Sequence, residues 1–159
     1  MKLPLTDAAH NWSDKLYAAA FAVCKNPQDA EDVLQETLLA YHLADREFES
    51  EEHVKAWLLR VTINKAKNAA MCFWRRNRTR LEDYADTLSF ENPGDRSLFE
   101  AVMRLPERYR VAVHLFYYED YNVREISDLL GTSESTVKSR LCRARRMLKR
   151  QLTEEWEDE

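Results

Sequence analysis

The chain has 159 residues, of which 45% are hydrophobic and 33% charged, so it can bury the core of one ordinary domain or two small ones and is not a disordered chain. Two glycines and four prolines are low counts, which favour long helices over a turn-rich sheet. The formal net charge of −4 would argue against nucleic-acid binding only if the charges were evenly spread, and they are not.

Three features of the sequence predict a cytoplasmic protein that does not insert into a membrane. No apolar run approaches the roughly 20 residues of a membrane-spanning helix. The first residues lack the basic and apolar segments of a signal peptide. The three cysteines, Cys24, Cys72 and Cys142, have no CxxC spacing, so we expect reduced thiols and neither a disulfide scaffold nor a zinc site.

Apolar residues recur at helical spacing through the first half of the chain. The pattern predicts one helix from residue 11 to about 26, a second over 29–44 and a third from about 52 to 76. The break between the first two falls at Asn26-Pro27, a pair typical of a helix boundary.

The second half begins with a stretch that has no periodicity. Residues 81–98 are acidic and include Asn92-Pro93-Gly94, which predicts a turn within a flexible linker. Helical periodicity returns at residue 99 and continues through 111–118, 123–130 and 137–148. The sequence therefore predicts an all-α protein of two small helical domains, 1–80 and 99–159, joined by a flexible acidic linker.

Basic residues are concentrated in two blocks that alternate with acidic segments. Residues 59–80 contain seven Lys or Arg and no carboxylate, and residues 138–151 have the same counts. A single block of this kind is usually a solvated surface. Two blocks without any carboxylate predict two separate contacts with a polyanion.

The segment NVREISDLLGTSESTVKSRLCRARRMLKR has the pattern of a helix-turn-helix motif. Asn122 is placed to cap the first helix, Gly131 to make the turn, and Thr132 or Ser133 to cap the second helix. On the second helix, Val137, Leu141, Ala144 and Leu148 form the predicted buried stripe. The opposite face holds Ser135, Lys138, Ser139, Cys142, Arg143 and Arg146.

This opposite face is typical of a helix that reads DNA. Small residues near its start allow close approach to the groove, and the Lys and Arg that follow can contact phosphates and guanine edges. The alternative is an ordinary amphipathic surface helix, but such a helix usually interleaves Glu with its basic residues. Cys142 falls on the outward face and is a candidate base contact rather than a core thiol.

The segment PQDAEDVLQETLLAYHL predicts a protein-binding helix. Its buried stripe is predicted to centre on Leu34, joined by Ala30, Leu38 and Tyr41, with Thr37 at the edge. The opposite face mixes acidic, amide and apolar residues: Asp32, Gln35, Glu36, Leu39 and Leu43. Exposed leucines with a polar rim suit a partner protein with a basic surface. A solvated helix that tolerates two leucines is the alternative.

The segment VKAWLLRVTINKAKNAAMCFWRRNRTR combines basic, amide and aromatic residues. Such a mixture suits unstacked single-stranded bases, which can be stacked upon and hydrogen-bonded at their edges. Asn64, Lys65, Lys67 and Asn68 crowd one turn and are the predicted DNA contacts. Trp57 lies on the apolar stripe and is predicted to be a core residue.

Taken together, these motifs resemble those of the extracytoplasmic-function (ECF) sigma factors, minimal bacterial initiation factors that keep only domains two and four. Three segments carry the resemblance in the family's order: DAEDVLQE at 29–36, VKAWLLRVTINKAKN at 54–68, and the run from LPERYR to RRMLK at 105–149. It covers about residues 12–80 and 98–152. It implies sigma domain two in 1–80 and a helix-turn-helix sigma domain four in 99–159.

The resemblance also implies a role for each set of residues. Asp32, Gln35 and Glu36, with Leu39, would dock on the clamp helices of the largest subunit of core RNA polymerase. The single-stranded −10 element would contact Asn64, Lys65, Lys67, Asn68, Arg75 and Arg76. The duplex −35 element would contact Ser135, Lys138, Ser139, Arg140, Cys142, Arg143 and Arg146.

Two connecting segments also match the family. Residues 45–53 match the loop that captures a flipped −10 base, although REFESEEH replaces the usual basic residue and glycine and brings four glutamates. Position 68 is Asn where many relatives have Asp. Residues 81–98 match the segment that threads the polymerase channel, and five carboxylates precede Arg96 in it.

Two other classes of function compete with an initiation factor. A free-standing helix-turn-helix regulator would need neither the Asp32–Glu36 face nor the second basic block. An enzyme is disfavoured because the four histidines are scattered and no phosphate-binding glycine loop is present. We therefore expect no catalytic residue, cofactor or metal. The family often uses an anti-sigma factor, which the sequence leaves open as a partner.

Overall fold

The computed structural model describes the backbone of residues 1–73 and 93–157 and the side chains of residues 1–69 and 96–153. The chain divides into two compact units, Met1–Arg78 and Thr79–Glu159. Within the described ranges every regular element is a helix, which confirms the all-α prediction.

The first unit is built from three helices, α1 (Leu5–Cys24), α2 (Pro27–Leu43) and α3 (Glu51–Phe73), each packed on the other two. Helix α1 begins six residues before the predicted start, because Ala8 in its first turns is buried but too small to reveal a periodic stripe. The largest fully buried side chains of this unit come from all three helices, and they are Leu16, Val33, Tyr41, Val54, Leu58, Leu59 and Ile63.

The predicted break between α1 and α2 is confirmed. Lys25 takes a left-handed conformation with φ of 57°, and its amide donates to the carbonyl of Phe21, which ends α1. The Oδ1 of Asn26 then accepts a hydrogen bond of 2.9 Å from the amide of Asp29, and Pro27 is the first helical residue of α2.

The described residues of the second unit, 93–157, form five consecutive helical segments. They are α4 (Pro93–Arg104), α5 (Glu107–Val113), a π-helical segment (His114–Tyr118), α6 (Val123–Leu130) and α7 (Glu134–Glu157). Helix α7 packs on α4, α5 and α6, and the buried core includes Leu105, Leu115, Ile126, Val137 and Leu141.

Two boundaries in this unit differ from the sequence-based prediction. Residues 93–98, predicted as the end of the linker, belong to α4, because Pro93 occupies a first helical position, where its missing amide hydrogen carries no penalty. The predicted helix 111–118 is divided between α5 and the π-helical segment. The rest of the predicted linker and residues 74–76 of the third predicted helix lie outside the described residues.

The helix-turn-helix caps form as predicted. Asn122 and Glu125 make a reciprocal capping box, with bonds of 2.8 Å and 3.0 Å, at the start of α6. Gly131 ends α6 with φ of 67°. Of the two predicted caps for α7, Ser133 takes the role, since its Oγ accepts from the amide of Thr136 at 3.1 Å.

Replacing Gly131 tests the turn. No heavy atom of the described residues lies within 4 Å of the place where a Cβ would stand, so Gly131→Ala adds only backbone strain. We expect the free energy of unfolding of the second unit to fall by about 1 kcal/mol. Gly131→Asn is the control. Asn tolerates the left-handed conformation better than Ala does, so this variant should lose less of the free energy of unfolding. Urea denaturation of both variants measures the difference, and an alanine variant as stable as the original chain would contradict the prediction.

Candidate nucleic-acid and protein interfaces

Helix α7 presents a basic face to solvent. Its predicted buried stripe is confirmed at Val137, Leu141 and Ala144, and Leu148 is half-buried. The residues predicted to face outward are all exposed: Ser135, Lys138, Ser139, Cys142, Arg143 and Arg146. Arg140, at the edge of this face, is half-buried. Ser133, Glu134 and Ser135 at the start of α7 are exposed as well.

Arg143 has a partner that the sequence analysis missed. Hydrogen bonds from Arg143, and then from Arg108, lower the pKa of Tyr109 in α5. Arg108 donates to the Tyr109 hydroxyl at 3.2 Å, and its guanidinium lies 4.5 Å from the centre of the Tyr109 ring. The phenol therefore brings two guanidinium groups together at the outward face. No sequence signal indicates this pair, because Tyr109 and Arg143 are far apart in the chain.

Arg145 contacts the π-helical segment, whereas its neighbour Arg143 bonds to Tyr109 of α5. The Arg145 Nε donates to the Tyr117 hydroxyl at 2.7 Å, and its guanidinium lies 5.6 Å and 5.7 Å from the ring centres of Phe116 and Tyr117. These contacts tie α7 to the π-helical segment. Arg145 was not among the predicted DNA contacts. Further along α7, a shallow groove is lined by Arg146, Lys149, Arg150 and Thr153.

Helix α2 presents the predicted acidic and apolar face. Asp32, Gln35 and Glu36 are exposed, and Leu39 and Leu43 have 56% and 71% of their surface accessible. Burial, and then the negative charge of Asp32, raise the pKa of the nearby Asp29. Asp32 therefore contributes negative charge beside a second carboxylate on the same helix. Such a surface repels DNA and favours a partner with a basic, partly apolar surface.

The predicted centre of the buried stripe of α2 is wrong: the stripe is centred on Val33 and Thr37 and not on Leu34. Val33 and Thr37 are buried, whereas Leu34 and Leu38 are only half-buried. Thr37 can enter the core because its Oγ1 donates to the Val33 carbonyl at 2.8 Å and accepts from Thr62 Oγ1 of α3 at 3.2 Å. Ala30 and Tyr41 are buried as predicted.

Helix α3 brings the predicted amide residues to one surface. Asn64 and Asn68 are exposed and, four residues apart, share a helix face. Lys65 and Lys67 are half-buried on either side. Arg75 and Arg76, also predicted DNA contacts, lie outside the described residues. The exposed amides offer donors and acceptors to base edges, and the two lysines supply positive charge beside them.

Trp57, predicted to be a core residue, is half-buried and belongs to an aromatic cluster. Its ring centre lies 5.8 Å from that of Phe48 and 6.1 Å from that of Tyr41. Phe48 comes from the 45–53 segment, so the cluster fixes that segment to α2 and α3. Arg46 is exposed, and its guanidinium lies 4.9 Å from the centre of the Phe48 ring.

Neither a metal site nor a membrane span emerges in the part of the chain that the structure describes. Among those residues no three His, Cys, Asp or Glu side chains are grouped so as to hold a metal ion. None of the described helices is both long enough and apolar enough to cross a bilayer.

A helix-turn-helix unit with a basic recognition face, and a second helical unit with separate acidic and amide faces, define a DNA-binding transcription protein. Comparisons with known families agree. Residues 9–80 match the family model of Sigma-70 region 2, and residues 95–148 match that of Sigma-70, region 4. RNA polymerase sigma factor SigV of Bacillus subtilis (strain 168) is 30% identical over 145 residues, which cover 87% of this chain and 85% of that protein.

A second curated relative and two solved structures are also similar to this chain. ECF RNA polymerase sigma factor SigM of Mycobacterium tuberculosis (strain ATCC 25618 / H37Rv) is 30% identical over 146 residues, covering 87% of this chain and 71% of that protein. The sigma factor RpoE, solved with the anti-sigma factor NepR from Bartonella quintana, has the same fold, with a TM-score of 0.72, 22% identity and coverage of 93% and 96% of the two chains. CnrH, solved with the cytosolic domain of CnrY, gives a TM-score of 0.66 at 23% identity, covering 94% of this chain and 87% of that one.

The chain belongs to the sigma-70 family, and its relatives place it among the ECF sigma factors. It is an alternative sigma factor, which binds core RNA polymerase and promoter DNA and directs promoter-specific initiation of transcription. Sigma factors in general are not enzymes.

Proposed function

We propose that the surfaces described above divide the work of initiation among three parts of the chain. Residues 1–80 bind core polymerase and the melted −10 element, residues 81–98 connect the units, and residues 99–159 read the −35 element. The observation that carries this proposal is the exposed basic face of α7, opposite a stripe at which Val137 and Ala144 are 0% exposed.

The −35 contacts follow from the position of each residue on α7. Ser135 and Ser139 lie in the first two turns of the helix, and their small side chains leave room for the groove. Lys138, Arg140 and Arg146 supply charge to phosphates, and Cys142 and Arg143 lie where base edges come within reach. The pairing with Tyr109 and Arg108 supports the assignment of Arg143, because a restrained guanidinium loses less side-chain entropy on binding a base.

The polymerase contact is assigned to Asp32, Gln35, Glu36 and Leu39 on α2. Their mixture of negative charge and exposed apolar surface supports docking on the clamp helices of the largest subunit of polymerase. An anti-sigma factor is a further proposed partner, since a structural neighbour was solved in such a complex. We also propose that the protein is cytoplasmic and has no catalytic activity or cofactor of its own.

The melted −10 element is assigned to the face of α3 that carries Asn64 and Asn68. Lys65 and Lys67 lie beside this face, and Arg75 and Arg76 follow further along the sequence. Bases held here favour the open promoter by mass action, so that melting needs no hydrolysis. The 45–53 segment is assigned to the capture of one flipped −10 base.

Removing the amides of α3 tests this assignment. We expect Asn64→Ala and Asn68→Ala each to weaken binding of a single-stranded −10 oligonucleotide by about 1 kcal/mol, because each loses a hydrogen bond to a base. Fluorescence anisotropy with holoenzyme measures the affinity. Asn11→Ala, at an exposed position of α1, is the matched control. Equal affinity for all three variants would contradict the assignment.

In vitro transcription tests the function as a whole. Core polymerase, genomic DNA fragments and this protein are combined, and new start sites are mapped by sequencing. We expect start sites that share a −35 and −10 pair at a fixed spacing. DNA binding without polymerase-dependent start sites would contradict the proposal and favour a free-standing helix-turn-helix regulator.

A further inference from the structure

The first three residues lie against the 45–53 segment. The Met1 nitrogen donates to the carbonyl of Phe48 at 2.7 Å, and the Phe48 amide donates to the Met1 carbonyl at 2.9 Å. Two residues exchange both backbone bonds in this way in an antiparallel strand pair. The pairing fixes the backbone at the middle of the segment.

Lys2 and Leu3 extend this contact to the end of α2. The Lys2 ammonium donates to the carbonyls of Ala44 and His42, where the helix has left carbonyls without intrahelical partners, and it lies 5.3 Å from the centre of the Tyr41 ring. The Tyr41 hydroxyl donates to the Leu3 carbonyl at 2.7 Å. We call residues 1–3 the N-terminal arm.

The opposite side of the segment is held by α3. Phe48 is 3% exposed, and its ring packs edge-on against His53 with centres 5.2 Å apart. The His53 Nδ1 accepts from the Glu49 amide at 3.0 Å, and Ser50 Oγ accepts from the His53 amide at 3.1 Å. Glu47 and Glu49, on either side of Phe48, are exposed. The arm and the first turn of α3 therefore restrain the segment from two sides and leave its outer surface open.

We propose that the N-terminal arm is a positioning element for the capture of the flipped −10 base, with Lys2 as its key side chain. This inference rests on the proposed role of the 45–53 segment. The segment lacks regular secondary structure between Leu43 and Glu51, so without the arm it would be restrained from the side of α3 alone and would lose more conformational entropy when the nucleotide binds. A segment already held by the arm binds the base without that loss of entropy and keeps one geometry for selection among bases.

Base discrimination is the measurement that tests this role. Holoenzyme is titrated with −10 oligonucleotides that carry each of the four bases at each position. We expect Lys2→Ala to lower discrimination at one position by about five-fold, the equivalent of one immobilised side chain, with −35 binding and the unfolding midpoint unchanged. Lys15→Ala, which removes an exposed lysine of α1 in the same unit, is the control and should change nothing.

A loop variant separates failure of this inference from failure of the proposed −10 role. Arg46→Ala changes an exposed side chain of the segment itself. If Arg46→Ala alters base discrimination while Lys2→Ala behaves as Lys15→Ala does, the role of the arm is overturned and the role of the segment stands. If neither Arg46→Ala nor Lys2→Ala alters discrimination at any position, both are overturned.

Hydrogen exchange gives a second, independent measurement. The Phe48 amide is protected by its bond to Met1, so Lys2→Ala and Tyr41→Phe should both speed its exchange. Unchanged protection at Phe48 in both variants would show that the arm does not hold the segment, and would overturn the inference whatever the result with DNA.

Discussion

Replacing Asp32 and Glu36 together with arginine is expected to abolish binding to core polymerase and leave the fold intact. Both side chains are exposed, so their replacement disturbs no packing. The change turns the acidic rim around Leu39 basic and places like charges against a basic partner surface, which costs several kcal/mol. Co-purification with core enzyme measures binding, and circular dichroism checks the fold.

The control for this experiment is a second double variant with the same change in net charge. Asp7→Arg with Asp14→Arg alters two exposed carboxylates of α1 and should leave polymerase binding unchanged. The Asp32→Arg change also removes a negative charge that contributes to the raised pKa of Asp29. Because unfolding of α2 would also lower the pKa of Asp29 by exposing it, circular dichroism and not this titration is the check of the fold. Normal co-purification of the Asp32/Glu36 variant would contradict the docking assignment.

Arg143→Ala is expected to weaken recognition of one −35 base pair by about 1–3 kcal/mol, the usual scale of a good base contact. The residue is exposed on α7, and its bond to Tyr109 holds the guanidinium beside that of Arg108. Competition binding against duplexes with each substitution in the −35 element gives the position-specific loss. We expect the loss to be confined to one base pair.

Arg150→Ala is the comparison variant for Arg143→Ala. Arg150 lies on the same helix, in the groove with Arg146 and Lys149, beyond the face assigned to base reading. We expect its loss to weaken binding equally for all −35 sequences, because phosphate contacts carry no sequence information. An equal loss across all sequences for Arg143→Ala would make Arg143 a phosphate contact as well.

Helices whose ends or faces are marked by residues close together in the sequence could be predicted. Helix α6 has the predicted bounds, Val123–Leu130, because Asn122 and Gly131 mark its two ends with a side-chain cap and a left-handed turn. The outward face of α7 was predicted correctly for the same kind of reason. Residues 138–151 contain no acidic residue, and one regular apolar stripe runs along the helix. Only that stripe can face the core, so the basic residues must face solvent.

Features that depend on neighbouring elements could not be predicted in this way. The buried stripe of α2 was predicted one residue too late, because Thr37 was placed at its edge. The hydroxyl of Thr62 on α3, which bonds to Thr37 in the core, becomes apparent only when the helices pack together. The pair of Tyr109 with Arg143 and the bonds between Met1 and Phe48 join residues far apart in sequence. Such contacts follow from tertiary structure, which single-sequence periodicity does not contain.

With the −10 and −35 elements assigned to separate units as proposed, the two compact units on one chain engage a promoter as a bivalent ligand does. Once one unit has bound its element, the other searches at an effective concentration set by the length of chain between them, rather than at its concentration in the cell. Each unit can then have a weak affinity of its own while the pair binds tightly. The spacing between the two elements becomes a selected quantity, because a promoter with the correct elements at the wrong distance engages only one unit at a time.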